Sequence, residues 1–319
     1  MKKIGILTSG GDCSGMNAAI RSAVRTAARL NLEIVGFRKG FLGLINGDGI
    51  SLDSRLVSGT LHRGGTFLQT ARCPEFLTLQ GQQKALANLE KIGVEGLIIV
   101  GGEGSLAGAL ALHRLGFAVI GIPASIDNDI PCTDIAIGVD TALNNIIRAV
   151  DCIKDTASSH ARAFVIEVMG RHSGYLASVS AIATGAEFAL VPERPFDLAD
   201  ICRHLRTRYE EGRDNAIIIL AEGAGNAQEI ADSIKDAIGF ETRVTVLGHY
   251  QRGGAPTVFD RLLGSRYGKR AVELLLEGEK GKMVGIACAA LIAAPLEKVV
   301  NGKKLPDEEM LRMAEVLGH

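Results

Sequence analysis

Residues 3–20 read KIGILTSGGDCSGMNAAI and contain the pattern that the rest of the chain repeats. A short apolar run, Lys3–Thr8, leads into a glycine-rich turn, and apolar residues at helical spacing begin at Met16. A strand followed by a glycine turn and a helix is the building unit of α/β proteins. Such a turn also directs backbone N–H groups and the positive end of a helix at an anion. A tight turn without a ligand explains this one loop equally well.

The same unit recurs along the chain. Strand-like runs that end in glycine or polar turns lie at 96–100, 117–122, 162–168, 215–221 and 242–247. This alternation predicts an α/β fold with mostly parallel sheets and right-handed crossovers. Ligands of such sheets bind beyond the carboxyl ends of the strands, so we expect the chemistry there. The length of 319 residues suggests two domains, although one large unit is compatible with it. A boundary near residue 140 would separate the first glycine loops from a second set of loops that follows.

Composition narrows the class of protein. Hydrophobic residues make up 47% and charged residues 22%, which excludes intrinsic disorder. The net charge of -1 shows no large basic footprint for nucleic acid. The longest apolar run, Met283–Ala294, is too short to span a bilayer, so no membrane partner is expected. The six cysteines are widely spaced without a Cys-x-x-Cys pair, which favours reduced thiols and a cytoplasmic location.

Two further loops carry carboxylates. The loop Gly101–Ser105 contains Glu103, an oxygen donor that suits Mg²⁺, although a lone acid is more often solvated. The segment Ser125–Asp129 reads SIDND and follows a strand, which places a hydroxyl and two carboxylates within five residues. One of these carboxylates is suited to take a proton from an attacking hydroxyl and the other to bind Mg²⁺. Turn chemistry of Asp and Asn is the alternative explanation.

Basic residues recur near the ends of strands, namely Arg72, Arg162, Arg171, Arg243, His249 and Arg252. Strand ends converge in an α/β fold, so we expect these residues to build one phosphate-binding surface. Any one of them alone is more simply a solvated surface residue. Arg21 and Arg25 are four apart on the first helix, where the solvated side of an amphipathic helix is the simpler interpretation.

Taken together, the motifs resemble the bacterial ATP-dependent 6-phosphofructokinases over nearly the whole length. The matching segments, in order, are 4–17 (IGILTSGGDCSGMN), 62–66 (HRGGT), 70–76 (TARCPEF), 101–105 (GGEGS), 125–129 (SIDND), 169–174 (MGRHSG), 221–223 (AEG) and 247–254 (LGHYQRGG). The resemblance implies two Rossmann-like three-layer domains with the active site in the cleft between them. Residues 1–138 with 251–300 would bind ATP, and residues 139–250 with 301–319 would bind fructose 6-phosphate.

The implied reaction is transfer of the γ-phosphoryl group of ATP to the 1-hydroxyl of fructose 6-phosphate, the committed step of glycolysis. The catalytic residues would be Asp127 as general base, with Arg171, Gly11, Arg72 and Ser125 at the transferred phosphate. ATP would be held by Gly11, Arg72, Cys73, Gly102, Glu103, Gly104 and Ser105, and Mg²⁺ by Glu103 and Asp129. The sugar phosphate would be held by Ser125, Asp127, Arg162, Met169, Gly170, Arg171, Glu222, Arg243, His249 and Arg252.

The family is also homotetrameric, and residues matching Arg162 and Arg243 come from a neighbouring subunit. A second site for the effectors ADP or phosphoenolpyruvate is matched by Arg21, Arg25, Lys154, Gly185, Glu187 and Arg213, which revises the interpretation of the first helix. Ser54 and Glu211 replace basic residues that are usual at that site, and Lys154 replaces Arg. We therefore expect a weak or altered effector response.

Other departures concern the donor and the metal. Glu103 replaces the usual Asp, and Ser125 replaces the usual Thr. Relatives that use pyrophosphate carry Asp at the position of Gly104 and Lys at that of Ala124, so ATP is favoured as the donor. Two alternatives stay open: a kinase for a related sugar phosphate such as tagatose 6-phosphate, and a regulatory sugar-phosphate-binding subunit with weakened catalysis.

Overall fold

The structure is a computed structural model that describes residues 1–238, 241–304 and 306–318. The chain divides into two compact units, one of residues 1–141 and 252–304 and the other of residues 142–251 and 305–319. Residues 239, 240, 305 and 319 of the second unit lie outside the described part. The expectation that one unit binds ATP and the other the sugar phosphate stays a prediction.

Strands and helices alternate along most of the chain. The strands are β1 (Lys3–Ser9), β2 (Glu33–Phe37), β3 (Gly49–Leu52), β4 (Gly96–Gly101), β5 (Val119–Pro123), β6 (Ala163–Val168), β7 (Phe188–Leu190), β8 (Ala216–Ala221), β9 (Thr242–Val246), β10 (Lys282–Ala287) and β11 (Ala290–Pro295). The helices are α1 (Met16–Arg29), α2 (Phe41–Asn46), α3 (Leu79–Lys91), α4 (Glu103–Arg114), α5 (Val139–His160), α6 (Tyr175–Thr184), α7 (Leu198–Glu210), α8 (Ala227–Ile238), α9 (Val258–Leu276), α10 (Leu296–Asn301) and α11 (Glu308–Gly318). Short 3-10 helices lie at Pro74–Leu77 and Gly248–Arg252.

The first unit contains a sheet with the strand order β11-β10-β5-β4-β1-β2-β3. Its five inner strands are parallel, and β3 and β11 join antiparallel at the two edges. Every residue of β4 and β5 is buried, which explains why both strands read as continuous apolar runs. On α1 the predicted apolar face of Ile20, Ala23, Val24 and Ala27 is buried. The prediction of an α/β fold with mostly parallel sheets is confirmed.

The second unit contains a parallel sheet with the strand order β7-β8-β6-β9. Its central strand β8 is buried throughout, and its core includes Val165, Ile218, Ile201 and Ile230 from strands and helices. Strand β7 is the edge strand next to β8, and α11 packs against α6 and β7. Within the described residues, none of the helices combines the length and apolar character needed to cross a bilayer.

A buried carboxylate secures the beginning of α5 in the first unit. Asp260 of α9 is fully buried and accepts hydrogen bonds from the backbone N–H of Gly138 at 2.8 Å and of Thr141 at 2.8 Å. The Thr141 hydroxyl donates to the same carboxylate at 2.6 Å. The two bonds from the backbone satisfy N–H groups that would otherwise be unpaired at the start of a helix. Burial nevertheless raises the pKa of Asp260 above its ordinary value of 3.8.

Candidate active site

The loop after β1 is held in place by residues from distant parts of the first unit. The hydroxyl of Ser14 donates to the Gly254 carbonyl at 2.7 Å, and the hydroxyl of Thr70 donates to the Gly10 carbonyl at 2.9 Å. Asn17 accepts from the backbone N–H of Phe67 at 2.9 Å. The segment that carries the exposed Arg72 and the half-buried Cys73 therefore follows directly on a residue bonded to the first glycine loop.

Arg252 lies against this loop. Its Nη1 donates to the Asp12 carbonyl at 3.2 Å, and its guanidinium packs so closely on Gly11 that a Cβ there would collide with it. A guanidinium and the backbone of a glycine turn thus face the same point at the start of α1. Both groups favour an anion, since one is positively charged and the other presents N–H dipoles.

The loops after β4 and β5 are neighbours because these two strands pair in parallel. Gly101 is the register partner of Pro123, and the backbone N–H of Ala124 donates to the Gly101 carbonyl at 3.0 Å. Glu103 is exposed and begins α4, where the helix N-terminus favours negative charge. Ser105, two residues further, is buried beside Gly10, and its hydroxyl has no hydrogen-bond partner within the described residues. An unpaired buried hydroxyl next to two glycine loops is a donor available to a phosphate.

The SIDND segment alternates between buried and half-buried residues. Ile126 and Asn128 are buried, whereas Ser125, Asp127 and Asp129 are half-buried. Ser125, Asp127 and Asp129 are therefore the partly accessible residues of the segment, which turns at residues 126–127. The Ser125 hydroxyl donates to Asp129 Oδ1 at 2.9 Å.

Asn128 fixes the turn that makes this arrangement. Its φ of 49° is left-handed, a region that Asn tolerates better than most residues. Its side-chain amide donates to the Asp134 carbonyl at 3.2 Å and accepts from the Ala136 N–H at 3.1 Å. The buried amide thereby ties the acidic segment to the chain that leads into α5.

In the second unit, one group of candidate residues gathers at the carboxyl ends of the parallel strands. Met169, Gly170 and Arg171 follow β6, and Glu222 follows β8. The backbone N–H of Gly223 donates to the Gly170 carbonyl at 3.2 Å, and Gly170 has a φ of 137° that requires glycine. The backbone N–H of Met169 donates to Oε1 of Gln251, two residues after His249, at 3.1 Å.

Arg162 and Arg243 lie at the amino ends of the strands of the same sheet. Arg162 immediately precedes β6, and Arg243 is the second residue of β9. Six residues of strand separate Arg162 from Met169, which corresponds to roughly 20 Å. The expectation that all the basic residues converge on one surface is therefore wrong for these two arginines within one chain, because Arg162 precedes β6 and Arg243 lies at the beginning of β9.

A carboxylate already joins these two arginines. Glu241 lies 2.6 Å from Arg162 Nε through Oε2 and also pairs with Arg243 Nη2 through Oε1. The two guanidiniums thus converge on a single anionic group, which is the arrangement that a phosphate requires.

The phosphofructokinase family matches residues 3–275 of the chain. The chain belongs to the phosphofructokinase family. It is 50% identical to the ATP-dependent 6-phosphofructokinase of Bacillus pumilus over 317 residues, 99% of each protein. It is 48% identical to the enzyme of that name from Thermotoga neapolitana over 318 residues, 99% of this chain and 100% of the other. The crystal structure of Pichia pastoris phosphofructokinase in the T-state superposes with a TM-score of 0.90 at 39% identity, over 94% of this chain and 35% of the longer yeast chain.

The sequence patterns did not reveal two residues that contact the candidate site residues or their neighbours, Glu241 and Lys304. Lys304 Nζ donates to the carbonyls of Thr133 at 2.9 Å and Asp134 at 3.0 Å. Burial lowers the pKa of Lys304 to about 8, against the attraction of Asp134 and Asp129. No local motif marks either residue. The position of Glu241, two residues before Arg243, is a weak indication that the two side chains pair.

The effector candidates of this family member are largely engaged with the protein itself. Lys154 Nζ donates to the carbonyl of Thr184 and, at 3.4 Å, to that of Gly185. Glu187 accepts from Arg208 at 3.3 Å and from the Ile217 N–H at 2.7 Å. The backbone N–H of Arg213 donates to the Arg208 carbonyl, and Arg21 and Arg25 share a face of α1 in the first unit, where burial and then Arg25 lower the pKa of Arg21.

Proposed function

We propose that the chain is an ATP-dependent 6-phosphofructokinase that acts in the cytoplasm as a glycolytic enzyme. It transfers the γ-phosphoryl group of ATP to the 1-hydroxyl of fructose 6-phosphate. The observation that carries the proposal is the SIDND segment, whose three half-buried polar residues follow β5 next to the Gly101–Ser105 loop, with the Ser125 hydroxyl bonded to Asp129. The two bacterial relatives named above are ATP-dependent 6-phosphofructokinases, and this chain matches 99% and 100% of their length.

Asp127 is assigned the role of general base. Its carboxylate accepts the proton of the sugar 1-hydroxyl as that oxygen attacks the γ-phosphorus and ADP departs. The N–H of Gly11 and the guanidinium of Arg171 are assigned to the negative charge on the transferred group. A positioned base contributes about 10²–10⁴-fold to a rate, and preorganised donors contribute a comparable amount.

Glu103 and Asp129 fit a magnesium ion that travels with the nucleotide. Both provide oxygen, which Mg²⁺ prefers, and they follow the paired strands β4 and β5. Across the described residues no cluster of three or more metal-binding side chains is found. Mg²⁺ usually takes one or two carboxylates together with nucleotide phosphates, so two acids suit a nucleotide-borne ion. When bound, Mg²⁺ would neutralise charge on the phosphates of ATP.

A homotetramer is part of the proposal. Arg162 and Arg243 lie at the opposite end of their strands from the sugar-phosphate candidates that follow β6 and β8, so we assign them to the site of a neighbouring copy. On α9, Val258, Phe259 and Leu262 are 73%, 44% and 60% exposed, which is a large apolar surface for a subunit alone. Lys154 is bonded to the carbonyls of Thr184 and Gly185, and Glu187 is bonded to Arg208. These internal contacts support a weak response to ADP or phosphoenolpyruvate.

A coupled assay tests the activity. With Mg²⁺ and ATP, fructose 6-phosphate should be turned over; pyrophosphate in place of ATP should give no product, and tagatose 6-phosphate should be slower. Asp127→Ser should lower kcat by ~10²–10⁴-fold while ATP affinity stays near normal. Asp155→Ser, at an exposed position on α5, is the matched control. Turnover with pyrophosphate only, or an unchanged kcat in Asp127→Ser, would overturn the assignment.

A further inference from the structure

The second unit contains a cavity that none of the candidate catalytic, nucleotide or sugar-phosphate residues line. It measures about 420 Å³ and lies between the edge strand β7, helix α7 and the C-terminal helix α11. Cavities that bind small organic molecules measure about 300–1,000 Å³ and are mostly apolar with a few polar groups. This cavity falls within that range.

The walls of the cavity are apolar and partly aromatic. They are formed by Phe188 and Leu190 of β7, by Phe196 and Ile201, and by Leu311 of α11. The Phe188 ring meets the imidazole of His204 edge-on, with ring centroids 5.4 Å apart. Such walls favour an apolar body, and the faces of phenylalanine rings attract a positive charge.

The mouth of the cavity is acidic. Arg194 lines the cavity, and its guanidinium forms salt bridges with two carboxylates of α11, Glu308 at 2.6 Å and Glu315 at 2.5 Å. Asp200 of the lining pairs with Arg203. Asp197, also of the lining, accepts a single hydrogen bond from the described part of the chain, that of the Ala199 backbone N–H at 2.9 Å.

The charges around the mouth therefore do not cancel. Four carboxylates (Asp197, Asp200, Glu308 and Glu315) surround two guanidiniums (Arg194 and Arg203), an excess of two negative charges. Glu187 adds nothing to this excess because its carboxylate is paired with Arg208. A field of this sign repels phosphates and carboxylates and attracts a cation.

We propose that this cavity binds a small organic cation, an apolar body that carries one protonated amine. The body fills the space between the phenylalanine rings and α11, and the ammonium group lies at the mouth near Asp197. The site differs in charge from every phosphate-binding site proposed above, so the inference does not depend on the catalytic assignment.

Binding at this site also has a structural consequence. The guanidinium of Arg208 donates to the carbonyl of Gly318, the last described residue of α11, at 2.9 Å, and pairs with Glu187 just before β7. A ligand that fills the cavity adds contacts to both α11 and β7. It should therefore raise the midpoint of thermal unfolding by binding the folded state.

Three probes of one shape and different charge test the proposal on the full chain. The probes are 2-phenylethylamine, 2-phenylethanol and phenylacetate, with saturation-transfer NMR and isothermal titration as the measurements. We expect the amine to bind more tightly than the alcohol and the acid to bind least, with saturating ATP leaving the amine bound. Phenylacetate binding as tightly as the amine, or displacement of the amine by ATP, would overturn the proposal.

Two variants and a control locate the site. Asp197→Asn removes one charge but retains a residue that caps helices well, so α7 should stay folded. The amine should bind about twofold to fivefold more weakly, and the alcohol equally well. Ala314→Trp fills the cavity from α11 and should abolish binding of both. Glu309→Gln, on an exposed position of the same helix, is the control. Unchanged amine binding in Asp197→Asn refutes the charge argument, and this variant decides the matter if Ala314→Trp fails to fold.

Discussion

The Ser125 hydroxyl donates to the Asp129 carboxylate at 2.9 Å, and Ser125→Ala removes that single hydrogen bond. If Asp129 holds the magnesium ion of MgATP, the hydroxyl fixes which way the carboxylate faces. Ser125→Ala should therefore weaken the binding of Mg²⁺ more than it lowers the maximal rate. Asp129 itself remains charged and half-buried, so the fold should be unaffected.

The magnitude follows from the bond that is lost. A hydrogen bond to a charged group contributes about 1.5–3 kcal/mol, and half-buried partners favour the lower end of that range. A loss of about 1.5 kcal/mol corresponds to roughly a tenfold change in an equilibrium constant. The Mg²⁺ concentration for half-maximal activity should thus rise up to about tenfold, with a smaller fall in kcat at saturating Mg²⁺.

The assay is a titration of Mg²⁺ at saturating ATP and fructose 6-phosphate, with the coupled rate as readout. Ser125→Thr retains the hydroxyl and is the matched control, for which the titration curve should superimpose on that of the unmodified chain. A contrary result would be a kcat that falls at every Mg²⁺ concentration while the half-maximal concentration is unchanged. Ser125 would then act on the phosphate directly, and the argument through Asp129 would be refuted.

Three more outcomes are expected. Glu241→Gln removes the carboxylate between Arg162 and Arg243, and KM for fructose 6-phosphate should fall by up to about fivefold with kcat nearly unchanged. Phe259→Glu places a charge on the exposed apolar surface of α9, and sedimentation velocity should show species smaller than a tetramer. Because its folded pKa is raised, Asp260 holds its proton more tightly in the folded chain, and its contribution to stability falls as the pH rises above 3.8. The free energy of unfolding of the chain relative to Asp260→Asn, measured by urea denaturation, should therefore grow as the pH is lowered from 7 to 4.

Each of these outcomes has a result that contradicts it. A higher KM in Glu241→Gln would show that the carboxylate orients the two arginines instead of competing with the sugar phosphate. A tetramer that persists in Phe259→Glu, as it should in Lys269→Gln on the same helix, would place the subunit contact elsewhere. A difference between the chain and Asp260→Asn that is constant with pH would mean that Asp260 titrates equally in the folded and unfolded chains.

Much of the fold was readable from local patterns. The strand that ends at the first glycine loop and the helix from Met16 lie where apolar spacing and turn residues predict them. These features depend on neighbours within a few residues, so the sequence contains the whole cause.

The sequence also shows whether a charged residue precedes or follows a predicted strand. Arg171 follows β6 and Arg162 precedes it, so the two belong to opposite edges of the sheet. Treating both simply as residues near strand ends led to the wrong expectation of one surface within a chain. The direction of a strand is a local property, and it decides which edge a flanking side chain occupies.

The sequence by itself determined the order of strands and helices, the glycine loops and the acidic segment, because each is encoded by residues close together in the chain. Only the tertiary structure placed Arg252 on Gly11, Lys304 on the Thr133 and Asp134 carbonyls, and Asp260 at the start of α5. These partners are more than 100 residues apart, and they meet because sheet order and helix packing fix their separation. No spacing along the chain records that geometry.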